Sequence, residues 1–275
     1  MPQRIVITGA SSGLGRALAL EYAGPGVALG LIGRNAARLE EVAALARARG
    51  AAVSVGGVDV RDRAAMAGFL LTFDAAAPID CLIVSAGVTM VTPAGGGVED
   101  LTKSSELFDV NLNGAMNAIA PIAPLMRRRR AGQIALFGSI AAFAPPPDSP
   151  TYAASKAALV AFALATRALY RADGVSVSVI CPGFVDTPMT GSFISWKPSL
   201  ITAEDAARRI RRGLDRRKAI IAFPFPLYLV ARLLQWLPDA LRSRVMLRFR
   251  AVERARGERG AASDPASSTN APTDR

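Results

Sequence analysis

Tyr152-Ala-Ala-Ser-Lys156 sets a phenol and an amine four residues apart, the spacing that stacks two side chains on one face of a helix. An unperturbed tyrosine has a pKa of about 10, and an ammonium beside it favours the phenolate. Such a pair can give a proton to a carbonyl oxygen as hydride reaches the carbon, or take it back in the reverse direction. Ser139, thirteen residues earlier, can donate to the same oxygen and stabilise the negative charge that develops there. The chain contains no histidine, which excludes Ser-His-Asp and Cys-His hydrolysis and any His-ligated zinc. No metal site is expected.

A second cluster is Thr8-Gly9-Ala10-Ser11-Ser12-Gly13-Leu14-Gly15, set between an apolar strand-like run and a helical pattern. Gly9 permits the tight turn, Gly13 lets the backbone approach phosphates, and Gly15 allows close helix packing. Ser11, Ser12 and Leu14 belong to the same turn, whose helix N-terminus offers N–H groups to a dinucleotide pyrophosphate. The next strand-like run ends at Gly33-Arg34-Asn35, without the acidic residue that would hold a ribose 2′-hydroxyl. Arg34 can instead pair with a 2′-phosphate, which selects NADP over NAD.

The elements that must carry these residues alternate. Arg4–Thr8, Val27–Gly33, Ala52–Val58, Cys81–Ala86, Gln133–Gly138, Val175–Cys181 and Ala219–Phe223 read as short buried strands. Gly13–Ala23, Asn35–Arg49, Tyr152–Tyr170 and Glu204–Asp215 read as helices. Strand-helix alternation predicts an α/β fold with a doubly wound, Rossmann-like parallel sheet and ligands at the carboxyl ends of its strands. A length of 275 residues with 51% hydrophobic content suits one core. The organisation expected is a catalytic domain over residues 1–223, a helical extension over 224–256 and a disordered tail over 257–275. Cys81 and Cys181 lie in apolar runs and read as reduced core thiols. The first residues carry no secretory pattern, so a cytoplasmic protein is expected.

The Thr-Gly-x-x-x-Gly-x-Gly turn together with the Tyr152/Lys156 pair resembles the short-chain dehydrogenase/reductase family, over about Arg4 to Asp215. By that resemblance Asn111, in Asn111-Leu-Asn-Gly114, is the structural and proton-relay residue that completes a tetrad with Ser139, Tyr152 and Lys156. The resemblance also makes Asp59 and Val60 an adenine-contacting pair, and places Pro182, Gly183, Val185 and Thr187 at the nicotinamide. Ser85-Ala86-Gly87 stands where the family usually has Asn-Ala-Gly. Ala86 and Gly87 are expected at the cofactor, and the cost of Ser85 should fall on hydrogen bonding in the central sheet. The family implies an NADP-dependent oxidoreductase interconverting a carbonyl and an alcohol, and homo-oligomers formed through helices that include Tyr152–Tyr170.

Substrate choice falls to Phe184–Ala203, read as a lid without clear periodicity, and to the extension. The net charge is +11, and between Glu204 and Arg259 fifteen Lys/Arg face six Asp/Glu. In Asp239–Arg250, Leu241, Val245 and Phe249 recur every four residues among arginines, the composition of a basic interfacial helix. Pro224, Pro226, Arg232 and Gln235 interrupt the apolar run from Ala219 to Leu237, so it should not span a bilayer. The extension is similar to that of membrane-associated reductases of the family, including those acting on 3-keto sphingoid bases. It implies a hydrophobic or lipid-like ketone and a peripheral membrane surface as partner. The alternatives are helices that cover the pocket or form a subunit interface, a sugar or cell-envelope substrate, and a non-catalytic NADP-bound regulator. No aromatic-interleaved basic motif suggests nucleic acid, and Arg127–Arg130 reads as complementing a helix dipole.

Overall fold

The computed structural model describes residues 4–92, 99–191, 193–194, 197–247 and 252–253. In chain order the elements are β1 (Arg4–Thr8), α1 (Gly13–Tyr22), β2 (Ala28–Ile32), α2 (Ala36–Arg47), β3 (Ala52–Gly56), α3 (Arg63–Ala76) and β4 (Cys81–Val84). There follow α4 (Leu101–Phe108), α5 (Gly114–Arg128), β5 (Gly132–Phe137), α6 (Pro150–Tyr170) and β6 (Val175–Pro182). The C-terminal part holds α7 (Pro188–Gly191), β7 (Phe193–Ile194), α8 (Ala203–Asp215), β8 (Ile220–Phe223), α9 (Phe225–Leu234), α10 (Asp239–Leu247) and β9 (Val252–Glu253). A π-helical turn, Asp109–Asn113, joins α4 to α5.

Seven strands form one parallel sheet in the order β3-β2-β1-β4-β5-β6-β8. The central strands are apolar runs such as Cys81-Leu-Ile-Val84, buried along their whole length, because helices cover both faces. On one side Leu70, Ile122 and Val160 pack from α3, α5 and α6. On the other, Leu18, Leu39, Ala43 and Ile210 pack from α1, α2 and α8. The chain direction across the sheet reverses between β1 and β4, and that switch point opens a crevice at the strand ends. The alternating pattern in the sequence therefore yields the doubly wound, single-domain α/β architecture expected of it.

The differences lie at edges. β3 ends at Gly56 and β4 at Val84, two residues short of the apolar runs, because the residues beyond turn into the crevice. The lid is more regular than its composition suggests: α7 follows Thr187, and Val185 bridges to Ile201. Phe193–Ile194 also pairs antiparallel with Val252–Glu253, so the extension returns to the lid. In the described residues α10 stops at Leu247; Phe249 and the expected tail at 257–275 lie outside them. Arg127 pairs with Asp173 and Arg129 with Asp74, so these arginines tie the end of α5 to its neighbours as well as lying near its C-terminus. One described helix, Pro150–Asp173, is long and apolar enough to cross a membrane, and it is the extended form of α6, whose Leu159, Val160 and Ala163 are buried in the core.

Candidate active site

The crevice begins at the β1–α1 turn. Gly9 has φ of 69°, and a Cβ there would stand 2.8 Å from Ala86 Cα, so only glycine lets the turn lie against the loop after β4. Thr8 fixes that approach: its Oγ1 accepts from the N–H groups of Ser85 and Ala86, each at 3.1 Å. The Ser85 hydroxyl donates back to the Thr8 carbonyl at 2.7 Å. The serine that departs from Asn-Ala-Gly thus makes the β1–β4 link on which its cost was expected to fall. Ser12 precedes α1 in an extended conformation and its side chain forms no capping bond, which leaves the first-turn N–H groups without a side-chain acceptor.

A cavity of about 680 Å3 runs from this turn to the catalytic residues. Its wall includes Gly9, Ser11, Ser12, Gly13, Leu14, Gly15, Arg34, Asp59, Val60, Ala86, Gly87, Pro182, Gly183, Val185 and Thr187, with Ser139, Tyr152 and Lys156 at one end. Every residue expected at the cofactor therefore lines one space. Asp59 is already engaged there, since Arg61 pairs with its carboxylate at 2.7 Å and holds it below the usual carboxylate range. Arg38, Val88, Met189 and Thr190 line the same cavity and escaped the sequence reading. Arg38 stands in the first turn of α2, its N–H capped by the Asn35 side chain at 2.9 Å. The only signal for it was a second arginine four residues beyond Arg34.

Asn111 is buried outside the cavity wall. Its Oδ1 accepts from Val88 N at 2.8 Å, and its Nδ2 donates to Val88 O and Ser155 Oγ, each at 3.0 Å. Ser155 in turn donates to the Tyr152 carbonyl at 2.7 Å. The asparagine side chain thus ties the loop after β4 to α6.

Tyr152 and Lys156 share one face of α6, with Lys156 Nζ 5.7 Å from the phenol ring centre. The ammonium donates to the Phe137 carbonyl at 2.9 Å, which orients it from the end of β5. Burial lowers Lys156 to about 8, because a low-dielectric site disfavours its charge. Burial also raises Tyr152, partly offset by its hydrogen bond with Ser139. The net displacement of the phenol is therefore upward, with desolvation of the phenolate its largest cause. Tyr152 is consequently a phenol at neutral pH, equipped to donate.

A second cavity of about 190 Å3 adjoins the first and shares Ser139, Tyr152, Pro182, Gly183, Met189 and Thr190 with it. Thr89 and Ala141 also line it, and the rest of its wall is Ile140, Ala144, Phe184, Leu227, Val230, Ala231, Leu234 and Met246. Here Met246 is the residue of α10 that turns inward, while Leu241 is exposed.

A parallel doubly wound sheet with a glycine turn at its switch point and a Tyr/Lys pair at the adjoining cavity defines a dinucleotide-binding oxidoreductase. Within that class the chain belongs to the short-chain dehydrogenase family: residues 3–198 match the family described as "short chain dehydrogenase", whose members use a nicotinamide cofactor. An "Uncharacterized oxidoreductase" of Myxococcus xanthus is 32% identical over 237 residues, 86% of this chain and 93% of that protein. A protein of Arabidopsis thaliana named "11-beta-hydroxysteroid dehydrogenase 1A" is 33% identical over 218 residues, and the match spans 73% of this chain but only 58% of the longer plant protein. A solved short-chain dehydrogenase from Sphingobium yanoikuyae, in complex with NADPH, superposes with a TM-score of 0.73 at 26% identity, covering 90% of this chain and 96% of its own.

Proposed function

We propose that this protein is an NADP-dependent reductase of a hydrophobic, lipid-like ketone. The observation that carries the reading is the second cavity, where Ser139 and Tyr152 are the reactive groups on an otherwise mainly apolar wall. When bound, NADPH supplies the hydride. The residues present fit it: the glycine turn leaves room and N–H groups for a pyrophosphate, and Arg34 and Arg38 stand exposed at the far end of the same cavity, suited to a 2′-phosphate. The NADPH-bound Sphingobium structure and the hydroxysteroid named for the plant relative support the same reading.

In this reading Ser139 holds the substrate oxygen and Tyr152 delivers the proton to it. Lys156, anchored on the Phe137 carbonyl, provides positive charge beside the phenol as proton transfer develops its negative charge. Asn111 keeps α6 in register with the loop after β4. Exposed Leu164 and Leu169 on α6 support self-association through that helix.

The test is NADPH oxidation against long-chain 3-keto lipids, steroids, sugars and small ketones. Turnover should favour hydrophobic ketones and fall by roughly 10²- to 10⁴-fold in Tyr152→Phe, with NADPH binding retained. Activity that survives loss of the phenol overturns the chemistry, and a preference for sugars overturns the substrate class. Silence across the panel by NADPH-binding protein would favour a regulator.

A further inference from the structure

Helix α9 is apolar on two opposite faces. Leu227, Ala231 and Leu234, spaced three and four apart, turn inward and wall the substrate cavity, with the half-exposed Val230 at its rim. Phe225, Leu229 and Leu233 recur four apart on the other side, and Trp236 follows in the turn just after the helix. Among the described residues nothing encloses this second stripe: Phe225 is 64%, Leu229 46%, Leu233 58% and Trp236 85% exposed. A helix apolar all round is normally enclosed, and a contiguous apolar stripe left open marks a surface that meets something else.

The charge around it selects the occupant. Among the described residues of α9 and α10, Arg232, Arg242 and Arg244 are exposed against a single acid, Asp239. A second copy of this chain laid on the stripe would bring two such basic segments together. An anionic lipid surface meets both features at once, taking the apolar side chains at the acyl boundary and the arginines at its headgroups. A tryptophan at the end of the stripe suits that boundary, where its apolar ring and polar N–H find matching surroundings. At ten residues, α9 is half the length of about 20 residues that a spanning helix needs, so it lies in the surface.

We infer that the Phe225–Leu229–Leu233–Trp236 face docks on an anionic bilayer, so that one helix carries lipid contacts outside and the substrate cavity inside. Delivery of a membrane-dissolved ketone to that cavity rests on the reductase reading given above; the docking itself does not.

The experiment is co-sedimentation of the full chain with equimolar phosphatidylglycerol/phosphatidylcholine vesicles, compared with pure phosphatidylcholine, at about 0.1 M salt, where charges act over about 10 Å. Binding is expected on the anionic vesicles, and it should weaken by at least roughly tenfold in Leu229→Glu/Leu233→Glu. Neither leucine lines the cavity, so turnover of a water-soluble ketone should be unchanged in the variant, which also shows that it folds. In Trp196→Phe protein, where Trp236 is the remaining tryptophan, emission should shift to the blue when anionic vesicles are added. Failure of the wild-type chain to bind, binding that survives the two glutamates, or no spectral shift would overturn the inference. So would an oligomer that the two glutamates dissociate, which would make the stripe a subunit contact. Sedimentation reads no turnover, so an inactive protein that binds vesicles would refute only the reductase reading.

Discussion

At the scale of single residues, the feature with the most direct consequence is the pair of displaced titrations on α6. Lys156 loses its proton near pH 8, whereas Tyr152 is raised and stays protonated through that range. The value of kcat/KM reports groups of the free enzyme. In the reductive direction it should be level below about pH 7 and fall as pH rises through about 8, because the lysine charge beside the phenol disappears. A profile of kcat/KM against pH, with a buffer series at constant ionic strength, checks this. A curve still level well above pH 8 would remove Lys156 from the proton-transfer step. The shared face of Tyr152 and Lys156 was legible from their spacing, and the position of Ser139 from its place at a strand end. The direction of the tyrosine shift was not, because burial is a property of the folded site. Arg38 was also missed, since an arginine in an arginine-rich chain acquires meaning only once α2 brings it to the cavity wall.

Among elements, the junction of β1, α1 and the loop after β4 bears the tightest constraint. A Cβ on Gly15 would overlap the Gly9 carbonyl and come within 2.8 Å of Ser85 Oγ, and backbone cannot swing aside as a flexible side chain can. Gly15→Ala should therefore push α1 off the turn, lowering stability by about 1–3 kcal/mol and weakening NADPH binding in parallel. Gly24→Ala supplies the control, for a Cβ there meets nothing within 4 Å and should leave both properties near wild type. Thermal denaturation and NADPH fluorescence titration would measure the two effects, and equal behaviour of the two variants would contradict the packing account. The strand and helix order was readable because buried parallel strands are continuous apolar runs and amphipathic helices are periodic. Strand ends were not, because Val58 and Ala86 are as apolar as strand residues and turn toward the cavity instead. The π-helical turn that places Asn111 also left no pattern in the sequence, since it differs from an α-helix only in hydrogen bonding.

For the molecule as a whole, the extension after Phe223 completes the site. Its composition pointed to a basic surface helix or to a pocket cover, and periodicity within α10 could not separate them. The structure adds a physical reason for ambiguity: one face of α9 serves the cavity while the other meets solvent, so its sequence is apolar on both. If α9 sets the size of the acceptable ketone, then enlarging its buried Ala231, which is 2% exposed and lines the cavity, should exclude bulk selectively. In Ala231→Leu, crowding of about 1–3 kcal/mol corresponds to a fall in kcat/KM of roughly 5- to 150-fold for bulky ketones. A small ketone should still reach Tyr152 and Ser139, because both lie on the border with the cofactor cavity, away from the α9 wall. Kinetics across a series of ketones graded by chain length would show the divergence. A loss uniform across that series would mean that the substitution disturbs the sheet or the catalytic helix, and that α9 covers the site without selecting what enters it.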